Sequence, residues 1–224
     1  MAALFAGLGR AGPGNSASFH GAEQAADLAP DAVVPDAVGG PGRDTGALLV
    51  HVPQGRGGAI DHATAFIDRV QRDHPKAQAH PGDMLSPPDR PFDLIWSAGA
   101  VSLPGIRAAL TAWRAPLAPG GHTAFPHLCG RQDTPSTRAQ AVWSAKADVA
   151  NALGAVVHIQ DAAFCVLAQS WLTDTASDAS HAPTEARMKT CASQNIADDV
   201  RTEQALWHQN KADCGCLVLV VEPA

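Results

Sequence analysis

A turn with three closely spaced glycines follows an acidic residue early in the chain, and a second acidic residue ends the next apolar run, an arrangement that could hold a ligand. Asp36 closes an apolar run, the glycines follow, and a second apolar run ends at Asp61. The turn glycines are Gly39, Gly40 and Gly42. Glycine lets a backbone approach a ligand closely, and the helix after such a turn offers free N–H groups. A carboxylate closing the second strand can accept hydrogen bonds from ribose hydroxyls. The stretch predicts a nucleotide-type cofactor site, although a Gly/Pro cluster can also be an ordinary turn.

The rest of the chain alternates strand-like and helix-like segments around this stretch. Helices are predicted at 16–26, 44–51, 63–74, 104–117, 134–153 and 184–211. Strands are predicted before the glycine turn and at 57–60, 92–96, 122–127, 163–168 and 216–221. Alternation of this kind favours an α/β fold with a doubly wound sheet and helices on both faces. Ligands of such sheets bind beyond the carboxyl ends of the strands, so the residues that follow each strand are the site candidates.

Composition limits the functions that the chain could have. Its 224 residues, 46% hydrophobic and 17% charged, suit one packed domain. We expect that domain at 28–224, with 1–27 as an N-terminal lid or cap. A net charge of -6 with scattered Lys and Arg argues against nucleic acid as a partner. No apolar run is long enough for a bilayer and no charged region precedes the apolar N-terminus, so neither a membrane nor export is expected.

The five cysteines suit reduced thiols, which favours a cytoplasmic protein. Cys214 and Cys216 lack the second paired cluster of a zinc site, and no metal is predicted.

The order of these signals resembles the class I S-adenosylmethionine-dependent methyltransferases over nearly the whole chain. The similar segments are Asp36 to Thr45 after the first strand, Asp61-His62 after the second, Gly82-Asp83-Met84 after the third, Phe92 to Ala100 (FDLIWSAGA) at the fourth, and Leu117 to Gly121 (LAPGG) before the fifth. The resemblance implies a mostly parallel seven-stranded Rossmann-like sheet, S-adenosylmethionine as cofactor and a small-molecule acceptor. The cofactor-binding residues that it implies are Asp36, Gly39, Gly40, Gly42, Asp61, His62, Asp83, Met84, Ser97 and Gly99.

Several of these residues also have a purely structural interpretation. Asp61 could cap the helix that follows it, Asp36 could cap the turn, and Asp83 with Met84 could simply begin a loop. Displacement at a methyl group depends mainly on in-line positioning, so no catalytic residue is assigned. If a base is needed, the candidates are His127, expected to follow strand five, and His20, if the N-terminal segment covers the site.

Three positions depart from the family's pattern. Val38 stands where the family usually has the first turn glycine, Pro35 falls inside a predicted central strand, and Ala98 replaces an expected carboxylate. They leave two other functions open: a degenerate methyltransferase-like protein that binds a ligand without catalysis, and an NAD(P)-dependent oxidoreductase using the same glycines and Asp61.

Overall fold

The computed structural model describes residues 5, 8–88, 91–131, 152–173, 189 and 193–224. The strands are β1 (Val33–Ala37), β2 (Arg56–Asp61), β3 (Gln78–Pro81), β4 (Phe92–Trp96), β5 (Leu117–Gly130), β6 (Phe164–Trp171) and β7 (Cys214–Pro223). The helices that alternate with them are α1 (Ser16–Ala25), α2 (Arg43–His51), α3 (Thr64–Asp73), α4 (Ile106–Arg114), α5 (Ala152–Asp161) and α6 (Gln194–Asn210). Strand–helix alternation, as predicted, builds the fold.

The strands form a single seven-stranded sheet in the order β3-β2-β1-β4-β5-β7-β6. The pairs from β3 to β5 are parallel, whereas β7 runs antiparallel to both β5 and β6. The strand order reverses direction between β1 and β4, which is the topological switch point of the sheet. This arrangement confirms the predicted doubly wound, mostly parallel sheet.

Both faces of the sheet are covered, because alternate residues of a strand point to opposite sides. Leu94 and Trp96 of β4 pack with Phe19 of α1 in one apolar cluster, while Ile95 packs with Trp113 of α4 in the other. All five side chains are fully buried. Apart from Asp93, β4 is apolar and thus has the two-sided burial expected of a central parallel strand.

Pro35 lies in the middle of β1, opposite Gly58 of β2. On its other side β1 forms one backbone pair with β4, between Asp36 and Trp96. Proline has no N–H to donate to a neighbouring strand, which accounts for the single backbone pair between β1 and β4. The Asp93 carboxylate of β4 instead accepts the N–H of Val33 over 2.7 Å. A side chain therefore replaces part of the main-chain ladder at the centre of the sheet.

The predicted helix at 104–117 is too long at its carboxyl end. The structure ends α4 at Arg114, and Leu117 begins β5 opposite Phe92. The helical apolar spacing continues to Leu117, but pairing with β4 prevails over that local pattern. Consequently Pro119-Gly120-Gly121 lies inside β5 and not at a helix end, with a register shift at this part of the ladder.

Strand β5 is also longer than predicted, because it continues to Gly130 along β7. The predicted helix at 134–153 lies outside the described residues except for its last two positions, and α5 continues from there to Asp161. The carboxyl-terminal part of the helix predicted at 184–211 is confirmed by α6. Within the described part of the chain, no helix has the length and apolarity needed to cross a membrane.

Candidate functional site

A cavity of about 390 Å³ opens at the carboxyl ends of β1, β2 and β4, over the switch point of the sheet. Its wall includes the turn after β1, the residues from Asp61 to Ala63 after β2, and those from Ala98 to Ala100 after β4. The N-terminal segment supplies Arg10 and its neighbours. Ligand pockets typically have volumes of this order, and this location is where doubly wound sheets bind ligands.

The turn after β1 places three residues in the left-handed region of backbone conformation. Gly40 has φ +50° and Gly42 has φ +92°, whereas Val38 adopts φ +78° despite its branched side chain. The N–H groups of Val38 and Gly39 donate to the Ile60 carbonyl over 2.8 and 3.1 Å. Left-handed backbone costs a β-branched residue of order 1–3 kcal/mol, so the turn holds Val38 under strain.

Asp61 joins the turn to the second strand from inside the cavity. Its Oδ2 accepts the N–H of Gly40 over 2.9 Å, and its Oδ1 accepts the N–H of Ala63 over 2.8 Å. Ala63, not Asp61, is the N-cap residue of α3. A carboxylate has about four lone-pair sites, so each oxygen keeps one for a further donor. Asp61 can therefore hold the turn and accept two ligand hydroxyls at once.

Two more carboxyl groups lie beneath the turn. Asp36 is buried and its Oδ2 accepts from Thr45 Oγ1 over 3.2 Å. Burial, and then the charge of Asp44, raise the pKa of Asp36 well above its ordinary value. Burial also raises the pKa of Asp44, while the Arg10 guanidinium opposes that rise. The floor of the cavity thus combines closely spaced acidic groups in a dry environment.

Arg10, a residue of the cavity wall, is joined to the body of the fold through Asp44. Its guanidinium donates from Nη1 to Asp44 Oδ2 over 2.8 Å, and Trp96 Nε1 donates to the same oxygen over 3.1 Å. Farther along, a Cβ on Gly12 would stand 2.4 Å from the Ala98 carbonyl oxygen, so only glycine fits there. The segment reaches the residues after β4 at van der Waals distance.

Six of the ten predicted cofactor residues line this cavity: Asp36, Gly39, Gly40, Asp61, His62 and Gly99. The structure does not place the other four in its wall. Gly42 is the N-cap of α2, where a Cβ would stand 2.7 Å from Val70. Ser97 is buried and donates from Oγ to the Ala37 carbonyl over 2.7 Å.

The loop after β3 supplies the remaining two. The Met84 side chain is buried in the core, and its carbonyl accepts from Trp113 Nε1 over 2.7 Å. Asp83 is exposed at the side of His62, with 3.9 Å between Asp83 Oδ1 and His62 Nε2. A role in ligand binding at these two positions stays a prediction.

Neither candidate base lines the cavity above the glycine turn, and the predicted location of His127 after strand five is wrong. His127 lies inside β5, opposite Leu217, because the strand extends beyond its predicted end. It lines a second cavity between α4 and α5, not the cavity above the glycine turn. Cys129 is also in β5, and burial raises the pKa of its thiol to about 12. His20 is on α1, where its ring contacts Glu23 and does not line the cavity.

Comparisons with known proteins identify the fold. No protein-family model matches the chain, and no curated protein matches it significantly. Among solved structures, a SAM-dependent methyltransferase from Thiobacillus denitrificans, in complex with S-adenosyl-L-homocysteine, matches with a TM-score of 0.75 and 16% identity, over 99% of this chain and 97% of that one. The chain has the class I methyltransferase fold.

Two further solved structures are similar to this chain, one of them a methyltransferase and the other a cyclase by name. A SAM-dependent methyltransferase from Geobacter sulfurreducens, also with S-adenosyl-L-homocysteine, has a TM-score of 0.75 at 16% identity, covering 99% of this chain and 96% of that one. The [4+2]-cyclase SpnF has a TM-score of 0.65 at 14% identity, covering 96% and 87%. At such identities the likeness shows the methyltransferase fold alone.

Sequence reasoning missed the residues through which the N-terminal segment joins the methyltransferase fold. Asp44 lies within the recognised turn segment, but no local pattern connects it to Arg10, 34 positions earlier. The sequence offers one indication of a role for Asp44, its position in the first turn of α2, where acidic residues interact favourably with the helix dipole. Phe66 of α3, another wall residue, lies in the helix predicted at 63–74 but is not among the predicted cofactor residues.

Proposed function

We propose that this protein is an S-adenosylmethionine-dependent methyltransferase that acts on a small-molecule acceptor. The observation that carries the proposal is Asp61, which closes β2 inside the cavity and keeps a free lone pair on each carboxylate oxygen. That geometry suits the two hydroxyls of a ribose. The position above the switch point and the neighbours with bound S-adenosylhomocysteine support the same assignment.

The other wall residues fit the remaining parts of this cofactor. Phe66 and Ala63 offer apolar surface beside Asp61, where an adenine would lie. The turn from Val38 to Gly40 would hold the amino-acid end, since Gly40 has no side chain to obstruct it. The bound cofactor would supply an electrophilic methyl group on a sulfonium centre.

The chain's own part in the reaction is to position the acceptor and to exclude water. Leu103, Ala98 and Ala100 form an apolar side of the cavity, and Arg10, Ala11 and Gly12 form another part of its wall. Excluding water protects a reactive methyl group and strengthens electrostatic contacts within the site. In-line orientation supplies most of what such a displacement requires, so the proposal assigns no acid or base.

Calorimetric titration tests the cofactor directly. We expect the protein to bind S-adenosylhomocysteine and to show no binding of NAD under the same conditions. Binding of NAD alone would favour the oxidoreductase, which would use the same turn and Asp61. Failure to bind either compound would contradict the proposed cofactor.

The second candidate function is a binding protein with this fold and no transferase activity. The strain at Val38 favours it, because the side chain stands at the turn that would hold the amino-acid end. SpnF, a cyclase by name, is a fold neighbour that is not named a methyltransferase. Binding of S-adenosylhomocysteine without methyl transfer from S-adenosylmethionine to any of a panel of small acceptors would support this second function.

A further inference from the structure

Two histidines and a glutamate converge where α1 packs on α2, outside the cofactor cavity. His20 Nδ1 lies 3.0 Å from Glu23 Oε2, and His51 Nδ1 lies 2.5 Å from the same oxygen. One ligand-type atom from each of the three residues lies within 4.8 Å of the other two. Among the described residues this is the cluster of side chains that could hold a metal ion.

We propose that His20, Glu23 and His51 bind a divalent transition metal ion, with zinc as the best match. Two imidazole nitrogens and one carboxylate oxygen form a donor set that zinc commonly uses. Around a tetrahedral ion with bonds near 2.0–2.1 Å, ligand atoms are about 3.4 Å apart. The separations of 3.0 and 2.5 Å between the imidazole nitrogens and Glu23 Oε2 are both shorter than that distance, so an ion would enter after small side-chain rotations that move these atoms apart.

The local structure keeps these side chains together. His20 and Glu23 are three positions apart on α1 and therefore share one face of the helix. His51 is the last residue of α2, where the helix dipole favours a cation. Its ring meets Phe19 edge-on, with 5.3 Å between the ring centroids, and Phe19 is fully buried. The ring of His51 is thus held by packing as well as by Glu23.

The site is open to solvent on one side. The His20 side chain is 51% exposed, whereas those of His51 and Glu23 are 24% and 17% exposed. Three protein ligands leave the fourth position of a tetrahedral ion for water. Because the ligands come from two helices, a bound ion would cross-link α1 to α2, and so fix the segment that carries Arg10 against the helix that carries Asp44.

Zinc titration of the full chain tests the site. We expect about one equivalent of zinc to bind and to raise the thermal unfolding temperature. Glu23→Gln removes the charged ligand with little change of shape and should weaken zinc binding at least tenfold. His51→Ala should weaken it similarly. His208→Ala, an exposed histidine of α6, is the matched control and should bind zinc like the parent.

Two results would overturn the proposal. One is the absence of zinc binding to the folded parent protein. The other is equal zinc affinity in the parent and in Glu23→Gln, which is what binding to the cysteine thiols would produce. Because His51 contacts Phe19, circular dichroism should first confirm that His51→Ala is folded, and Glu23→Gln gives the decisive comparison if it is not.

Discussion

Arg10 and Asp44 form an ion pair that joins the N-terminal segment to the helix behind the glycine turn, across 34 positions of sequence. Their side chains are only 10% and 6% exposed. Asp44 receives a second hydrogen bond from Trp96, whose ring is fully buried. The pair therefore connects the N-terminal part of the cavity wall to the centre of the sheet.

Removing the cation of this pair should destabilise the protein. Arg10→Met leaves the Asp44 carboxylate buried with only the Trp96 N–H, and we expect a loss of about 2–4 kcal/mol in the free energy of unfolding. The double variant Arg10→Met/Asp44→Asn should recover at least about 1 kcal/mol relative to the sum of the single changes. Urea denaturation measures all four proteins. Strict additivity would show that the pair contributes no coupling.

The stability of the protein should fall with rising pH because of Asp36. A carboxyl group whose pKa is higher in the folded than in the unfolded protein binds more protons when folded, so the free energy of unfolding decreases as pH rises through that interval. The interval begins near 3.8, the ordinary pKa, and extends upward.

Asp36→Asn keeps an oxygen for Thr45 but cannot ionise. We expect it to be more stable than the parent at pH 7, because the parent must ionise a buried carboxyl group whose pKa is raised and the variant need not. The advantage should shrink toward pH 4. Asp31→Asn, an exposed control, should show no such trend. If the difference in free energy of unfolding between Asp36→Asn and the parent stays constant across this pH range, ionisation of Asp36 is not the cause of the pH dependence.

Val38 allows a test of backbone strain. Glycine relieves a left-handed strain of order 1–3 kcal/mol but costs about 0.5–1 kcal/mol in chain entropy and loses the contacts of a partly buried side chain. Alanine loses the same contacts and keeps the strain. We therefore expect Val38→Gly to be about 1 kcal/mol more stable than Val38→Ala in chemical denaturation. The reverse order would show that the turn tolerates a side chain at φ +78°.

The same glycine variant bears on the cofactor. If the Val38 side chain crowds the amino-acid end, Val38→Gly should bind S-adenosylhomocysteine more tightly than the parent in calorimetry. An unchanged or lower affinity would show that the turn is adapted to valine, and would remove a main support for the binding protein without transferase activity.

Asp61 should contribute to affinity more than to folding. Asp61→Asn keeps one acceptor oxygen, so one of its two backbone hydrogen bonds can persist, but it weakens the acceptors available to ribose hydroxyls. We expect affinity for S-adenosylhomocysteine to fall by about 2 kcal/mol, with the variant still folded. Asp68→Asn on the exposed face of α3 is the control. Equal affinity in Asp61→Asn and the parent would restrict Asp61 to a structural role.

Ligand should protect the N-terminal segment if that segment acts as a lid. Trypsin cleaves after arginine, and Arg10 is accessible to it only when the ion pair with Asp44 opens. We expect slower cleavage at Arg10 with saturating S-adenosylhomocysteine, and faster cleavage in Asp44→Asn without ligand. Equal rates with and without ligand would contradict a lid and favour a segment that is packed permanently.

Much of the fold could be predicted because the apolar pattern within each segment indicates whether it is a strand or a helix. β4 is apolar apart from Asp93, and α3 has a clear apolar face, so the predicted bounds of both agree with the structure to within one residue at each end. The error at Leu117 has a different origin. Its spacing from Trp113 suits a helix, but the partner that settles its conformation is Phe92, which is distant in sequence.

Some residues of the candidate site could likewise be predicted from local sequence, whereas others depend on contacts between distant segments. The turn glycines and Asp61 follow apolar strands, so their positions in sequence indicate one edge of the sheet. The ion pair of Arg10 with Asp44 and the hydrogen bond that the Val33 N–H donates to Asp93 join residues distant in sequence, and neither leaves a periodic signal. The predicted location of His127 was wrong because β5 continues along its antiparallel partner β7, and the residues of β5 alone do not determine how far that pairing extends.

Pro35 divides the sheet into two blocks that could open separately. Along the described strands, β1 and β4 share one backbone pair, supplemented by the side-chain bonds of Asp93 and Ser97, whereas β5 and β7 pair over eight positions, from Thr123 to Gly130. Regions with few backbone hydrogen bonds open at the lowest free energy, so we expect amides along the β1–β4 seam to exchange with deuterium before those of β5 and β7. The cavity lies directly above that seam, and a hinge there would let the two halves of the binding site separate without unfolding either block.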